Sequence, residues 1–281
     1  MIIWLASYPK SGNTWLRALL SSYFYSENGD FDLKMLEKIK SFPSENNFKN
    51  YNDKFENPGD TSKYWIIEQE KINSLKKLIF LKTHMAVCKV NGNSFTDNKN
   101  TLGGIYIVRD PRNVITSLSN HYQISIDEAY EFMQDEKRAI YSKINNRYLG
   151  FQFLMSWSLN QKSWIENKNF PVFLVKYEDL INETFLVFKN VIQFINKLTK
   201  NDIKFNKDKA INAIKNTSFE KLQLLEKQHG FSEAMYKKGS KDKVKFFNLG
   251  QANNFEKLLS RDLINRINNK FKNDLEKLNY E

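Results

Sequence analysis

The chain has one cysteine, Cys88, in 281 residues. A single thiol cannot build an internal disulfide framework or an all-cysteine metal site. Its place beside an apolar run reads as a buried, inert group in a reducing compartment. Histidine is almost as scarce: His84, His121 and His229 are the three present. No H-E-x-x-H and no carboxylate cluster with ligand spacing occurs, so no metal is expected. No apolar run is long enough to cross a bilayer. The first residues enter a short apolar segment at once and meet Lys10, unlike a signal peptide, so a cytoplasmic protein is expected. No internal repeat and no domain boundary is visible, and residues 1–281 read as a single domain.

Lysine and the hydrophobic residues are plentiful. Lys and Arg number 43 against 32 Asp and Glu, for a net charge of +11, and 41% of the chain is hydrophobic, ample for a core. That charge calls for an anionic partner: nucleic acid, a membrane surface or a polyanionic nucleotide. The lysines are dispersed among asparagines rather than gathered into a binding tail, and dispersed lysine is also simply a solvated surface.

The stretch from Ile2 to Phe24 organises the rest. Ile2 to Ala6 is a continuous apolar run, as in a strand covered on both faces. Pro9 and Gly12 break the chain, after which Trp15, Leu16, Leu19, Leu20, Tyr23 and Phe24 recur at helical spacing;. Lys10, Ser11, Gly12, Asn13 and Thr14 therefore lie at a helix N-terminus, where unpartnered N–H groups and the dipole favour an anion. Lys10 precedes Gly12, so this is not the G-x-x-x-x-G-K-[ST] loop of nucleoside triphosphatases.

Further on, Leu33, Leu36, Ile39 and Lys40 predict a short helix ending near Pro43. Residues 44–62 are polar with scattered aromatics and read as a surface loop, either a lid or an excursion without a role. Leu78 to Thr83 reads as a second buried strand with His84 at its carboxyl end. Ile105 to Val108 reads as a third, followed by Arg109 and then a helix capped by Asp110 with Pro111 in its first turn. Ser117 lies within that helix. Ser125 and Glu128 form a capping box opening a charged, mostly exposed helix to about Tyr148. A helix over 151–167 carries Phe151, Leu154, Trp157 and Trp164 as core. Pro171 to Lys176 is a fourth strand ending at Tyr177, and helices follow over 185–198 and 210–216. Residues 228–245, with Lys237, Lys238, Lys241, Lys243 and Lys245, predict a flexible basic loop. Ser260 caps a last helix with Leu263, Ile267, Phe271, Leu275 and Leu278 on one face;.

Ligands of open parallel sheets collect beyond the carboxyl ends of the strands, so Lys10, His84 and Arg109 are expected to share one site. Motif by motif, these segments resemble the sulfotransferases that use 3′-phosphoadenosine 5′-phosphosulfate (PAPS). Tyr8 to Trp15, YPKSGNTW, resembles the family's phosphosulfate loop, with Asn13 where that family has Thr. Phe80 to Met85, FLKTHM, resembles the strand end bearing its catalytic base. Tyr106 to Tyr122 resembles its 3′-phosphate segment. Val175 to Leu180, and Asn216 to Phe219, are similar to its adenosine-contacting pieces.

The resemblance implies an α/β three-layer sandwich: a central, mostly parallel sheet of about four or five strands flanked by helices, like P-loop NTPases. It implies transfer of the PAPS sulfuryl group to a hydroxyl or amine, releasing adenosine 3′,5′-bisphosphate (PAP). Catalytic roles fall on Lys10, Lys82, His84 and Ser117. Donor binding falls on Lys10, Ser11, Gly12, Asn13, Thr14, Trp15, Arg109, Ser117, Tyr177, Thr217, Phe219, Asn248 and Gly250. The implied acceptor is a small molecule, lipid or carbohydrate, with no nucleic acid partner; a homodimer is one assembly to expect. One segment departs from the family: Asn248-Leu249 stand where it has Arg-Lys, with Lys243 or Lys245 as candidate substitutes. A gapped alignment on Lys237-Lys238-Gly239 would restore the charge. A P-loop kinase and a non-catalytic nucleotide- or polyanion-binding relative remain the alternatives.

Overall fold

The apolar run after Met1 forms β1 (Ile2–Ser7), buried along its whole length. Its side chains alternate. Ile2, Trp4 and Ala6 enter one core, Ile3 and Leu5 the other, as a strand covered on both faces requires;. The computed structural model describes residues 1–200 and 204–280. The sheet is completed by β2 (Lys40–Ser41), β3 (Ile79–Thr83), β4 (Thr101–Val108) and β5 (Val172–Lys176). Their order is β5-β4-β1-β3-β2, every neighbouring pair parallel. This is the expected parallel α/β architecture, with five strands.

The principal helices are α1 (Asn13–Tyr25), α2 (Pro111–Tyr122), α3 (Ile126–Gln134), α4 (Trp157–Ile165), α5 (Thr184–Thr199), α6 (Lys207–Asn216), α7 (Phe219–His229) and α8 (Arg261–Leu278). On one face, Leu16, Leu19 and Leu20 of α1, Phe188, Val191, Ile192 and Ile195 of α5 and Ala210 and Ala213 of α6 bury Ile3, Leu5, Ile105 and Ile107. On the other, Val114 and Leu118 of α2, Trp157 and Trp164 of α4, and Ile267 and Phe271 of α8 cover Trp4, Tyr106 and Val108. Each fully buried Val, Leu, Ile or Phe among them contributes about 1.5–3 kcal/mol of transfer free energy. Two of the buried indoles keep their polar handles satisfied: Trp4 Nε1 donates to Thr101 Oγ1 (2.8 Å) and Trp164 Nε1 to the Met85 carbonyl (2.9 Å);.

Several sequence expectations are corrected. The helix expected over 33–40 is a 3₁₀ turn, Leu33–Lys38, followed by strand β2. The expected surface loop over 44–62 is packed: Phe48 and Phe55 are buried in the core, and a capping box on Ser44 and Asn47 starts a short helix, Glu45–Phe48. The Ser125–Glu128 box forms as expected, with Ser125 N donating to Glu128 Oε2 (2.7 Å). Its helix stops at Gln134, however, and Ala129, Tyr130, Phe132 and Met133 are buried rather than exposed. Beyond it, Ala139–Ile140 pairs with Gln152–Phe153 and Lys143–Ile144 with Arg147–Tyr148. This ribbon delays the next helix to Trp157. The stretch expected to be a flexible basic loop buries Phe231, Ala234 and Val244, and Tyr236 bridges Lys243.

Candidate functional site

Register puts the predicted residues together. Ala6 pairs with Thr83, Ser7 with Ile107, and Lys176 with Val108. The residues that follow, Lys10, His84, Arg109 and Tyr177, therefore leave the sheet at one carboxyl edge. A cavity of about 590 Å³ lies above that edge. Every site residue expected from the sequence lines it except Ser11 and Thr217. The Thr217 hydroxyl is turned into its own helix and donates to the Ala213 carbonyl (2.7 Å). Ser11 is fully buried beneath the loop.

The loop after β1 is bent by two left-handed residues, Lys10 (φ 65°) and Gly12 (φ 101°). Gly12 is required twice over. The positive φ strains any other residue, and a Cβ there would overlap the Tyr177 ring;. Asn13 Nδ2 donates to the Leu5 carbonyl (3.0 Å), pinning the start of α1 to β1. One hydrogen of that amide is thus spent on the scaffold. Gly12, Asn13 and Thr14 line the cavity at the start of α1, where the helix dipole is positive;.

His84 is held from three sides. Its Nδ1 lies 2.8 Å from the Ser7 carbonyl, its backbone N–H donates to Gln152 Oε1 (2.9 Å), and its carbonyl accepts from Asn160 Nδ2 (3.1 Å). A carbonyl can only accept, so Nδ1 carries the proton and Nε2 keeps a lone pair. Burial, then the Lys82 charge, pushes the imidazole down to about 3, so it is neutral near pH 7;.

The cations are tied to specific partners. Lys82 Nζ lies 3.1 Å from Glu233 Oε2, and Glu233 also pairs with Arg17 of α1. Burial pushes the Glu233 carboxyl up, but Lys82 and Arg17 together outweigh it and hold the group well below the usual carboxylate range. Lys82 is lowered by burial against the opposing pull of Glu233. Among the described residues no carboxylate lies within ion-pair distance of Lys10. Burial, with Arg109 and Lys82 nearby, lowers it to about 7, and its ammonium rests 3.6 Å from the centre of the Phe246 ring;. The Arg109 guanidinium lies 4.3 Å over Tyr177, and its Nη1 donates to the Lys10 carbonyl (3.3 Å) and to Ser117 Oγ (3.2 Å). Arg109 Nε is buried with no partner among the described residues.

The far wall comes from the segment after α7. Phe219, Asn248 and Gly250 line it, and a Cβ on Gly250 (φ 55°) would overlap the Phe219 ring. Gln223 Nε2 donates to the carbonyls of Phe247 (2.7 Å) and Asn248 (2.9 Å). The cationic substitutes expected for the missing Arg-Lys pair are not on the wall: Lys243 Nζ turns back to the Phe231 carbonyl (2.8 Å), and Lys237, Lys238 and Lys245 are solvent-exposed. Among the described residues, Lys10, Lys82 and Arg109 are the lining lysines and arginines.

Sequence reasoning missed Glu233, Asn253, Gln152 and the cavity position of His121. Glu233 left a faint signal, an acid in a lysine-rich stretch. The others left none, because their partners are distant in sequence.

A sheet-edge cavity with a helix N-terminus, two partly buried lysines, an arginine and a neutral imidazole can hold an anion beside a proton acceptor;. Residues 2–279 match the sulfotransferase domain model, and the chain belongs to that family. It is similar to luciferin sulfotransferase of Photinus pyralis, 25% identical over 270 residues that cover 92% of this chain and 68% of that one. Among solved structures, a mouse sulfotransferase complexed with PAP matches with a TM-score of 0.58 at 18% identity, covering 98% of this chain and 84% of that one. Retinol dehydratase, in complex with androsterone and the inactive cofactor PAP, matches at 0.59 and 15%, covering 98% and 80%. The enzyme is thus a sulfotransferase.

Proposed function

We propose that the cavity takes PAPS and passes its sulfuryl group to a hydroxyl of a small molecule with an apolar body. The observation that carries this is the meeting of Lys10, neutral His84 and Arg109 on one wall. The residues fit the donor. Gly12 admits close approach of the backbone, and the buried Arg109 Nε is a donor waiting for an anion;. When bound, PAPS supplies a sulfuryl group on a phosphate leaving group.

In this reading Lys10 and the α1 N–H groups face the oxygen on which charge grows, where fixed donors act most strongly. An anion beside Lys10 favours its ammonium form, so binding takes up a proton. His84 Nε2 receives the acceptor proton, while the Ser7 carbonyl holds Nδ1–H and with it the ring angle. Lys82, held by Glu233, reaches the sulfuryl oxygens. Arg109 and Ser117 take the 3′-phosphate, and Tyr177 and Phe219 take the adenosine. Ser11 and Thr217, off the wall, drop out of the donor contacts.

Tyr122, Ile140, Tyr141 and Met235 give the remaining wall an apolar, aromatic character suited to the acceptor. The luciferin enzyme's name is consistent with such an acceptor. A cytoplasmic site of action accompanies this reading, in keeping with the free Cys88 thiol, which burial pushes up to about 12.

The test is His84→Ala, assayed with sulfur-labelled PAPS over an acceptor panel and by calorimetry with PAP. Turnover should fall about 10³-fold, within the range of a lost general base, with PAP affinity unchanged. Retained turnover would remove the imidazole from the reaction.

A further inference from the structure

Asn253 is absent from the donor contacts expected from the sequence, yet it is buried directly behind the Arg109–Ser117 pair. Its Nδ2 donates to Ser117 Oγ (3.0 Å) and to the Asn113 carbonyl (2.9 Å), and its Oδ1 lies 2.6 Å from Thr116 Oγ1. The Asn113 carbonyl can only accept, and this settles which end of the amide faces it. A flipped amide would set two oxygens against each other.

Ser117 Oγ therefore receives two hydrogens, one from Asn253 and one from Arg109 Nη1 at 3.2 Å. A hydroxyl has two acceptor sites and one hydrogen to give. With both acceptor sites filled, what Ser117 presents to the cavity is its O–H as a donor. Beside it is the buried, unpartnered Nε–H of Arg109. Here the Ser117 hydroxyl, beside the Arg109 guanidinium, is backed by the Asn253 amide.

We propose that Asn253 is a positioning residue that polarises the Ser117 hydroxyl toward a phosphate held by Arg109, and so supports selection of the 3′-phosphate by a neutral route. This rests on the donor reading above. It also explains how a wall with Asn248 and Leu249 can hold a doubly charged group although no additional lysine or arginine lines it. A hydrogen bond to a charged acceptor is worth more than one between neutral groups, so fixing the direction of one hydroxyl has a measurable effect.

The test is calorimetry of PAP against adenosine 5′-monophosphate, which lacks the 3′-phosphate, on the full chain. Asn253→Ala should weaken PAP about tenfold and leave the monophosphate within twofold, as for loss of one charge-assisted contact. Asn253→Asp, which keeps the shape but reverses the bond to Ser117, should weaken PAP further. In a Ser117→Ala background, Asn253→Ala should have no added effect on PAP, since the hydroxyl it acts through is gone. Additive losses, or equal losses for both nucleotides, would reduce Asn253 to a structural residue and overturn the proposal while leaving the donor reading standing. A wild-type protein that binds the two nucleotides equally would overturn that reading and this proposal together. Thermal melts of each variant separate loss of fold from loss of recognition.

Discussion

The two walls of the cavity are built differently. The sheet-edge wall consists of residues one to three places beyond strand ends: Lys10, His84, Arg109 and Tyr177. Parallel register fixes their positions. The opposite wall, residues 217–253, has no strand behind it. Carboxylates and amides hold it: Glu226 accepts the N–H groups of Phe246 (2.7 Å) and Phe247 (2.9 Å), Gln223 takes two carbonyls, and Glu233 ties it to β3 and α1. The first wall supplies cations; the second supplies aromatic surface and a tether. One should therefore govern rate, the other stability and shape.

The largest effect expected is on the sheet-edge side. Lys10→Met should lower turnover about 10²–10³-fold, as for removal of a donor aimed at developing charge. It should also stabilise the fold. With Lys10 lowered to about 7 from 10.5, the unfolded chain holds more protons between those values, so this group's contribution to stability rises with pH across that window;. The gain in melting temperature from Lys10→Met should be larger at pH 6 than at pH 9. A gain that is the same at both would show that Lys10 is not charged at a cost.

On the tethered side the order of effects should reverse. Glu233→Gln should cost about 2 kcal/mol in urea unfolding, between the exposed and fully buried limits for an ion pair, because Lys82 and Arg17 both lose their counter-charge. Hydrogen exchange should rise over 230–247 before it rises in β1. If exchange rises equally in both, the two walls are one cooperative unit and the contrast fails.

Next in size is the pH dependence of PAP affinity. Binding needs the ammonium form of Lys10, which is depleted in the free protein above about 7. Affinity should fall up to tenfold per pH unit from there, and the fall should vanish in Lys10→Met. His84, at about 3, should give no acid limb to activity between pH 5 and 7. Smallest is Lys243→Ala, for which PAP affinity should stay within twofold, because that ammonium is spent on the Phe231 carbonyl.

The same contrast explains what the sequence disclosed. The apolar runs 2–6, 78–83 and 105–108 announce their strands, and strand ends announce a site, so most of the sheet-edge wall was legible from local pattern. Asp110-Pro111 and the Ser125–Glu128 box marked helix starts correctly because capping is a local bond. Two-residue strands such as Lys40–Ser41 and Ala139–Ile140 are too short to show a period. Phe48 and Phe55 were hidden by polar neighbours, though each is buried. Glu233 and Asn253 act across 151 and 136 residues of sequence, to Lys82 and Ser117, and no window spans that separation.

Arg109 Nη1 holds the carbonyl of Lys10, so the guanidinium is a joint between two loops as well as the contact proposed for the nucleotide. Substituting it removes that restraint on the Lys10 carbonyl. Kinetic losses in an Arg109 variant will therefore mix the two halves of the donor site, and the cleaner dissection begins at Ser117.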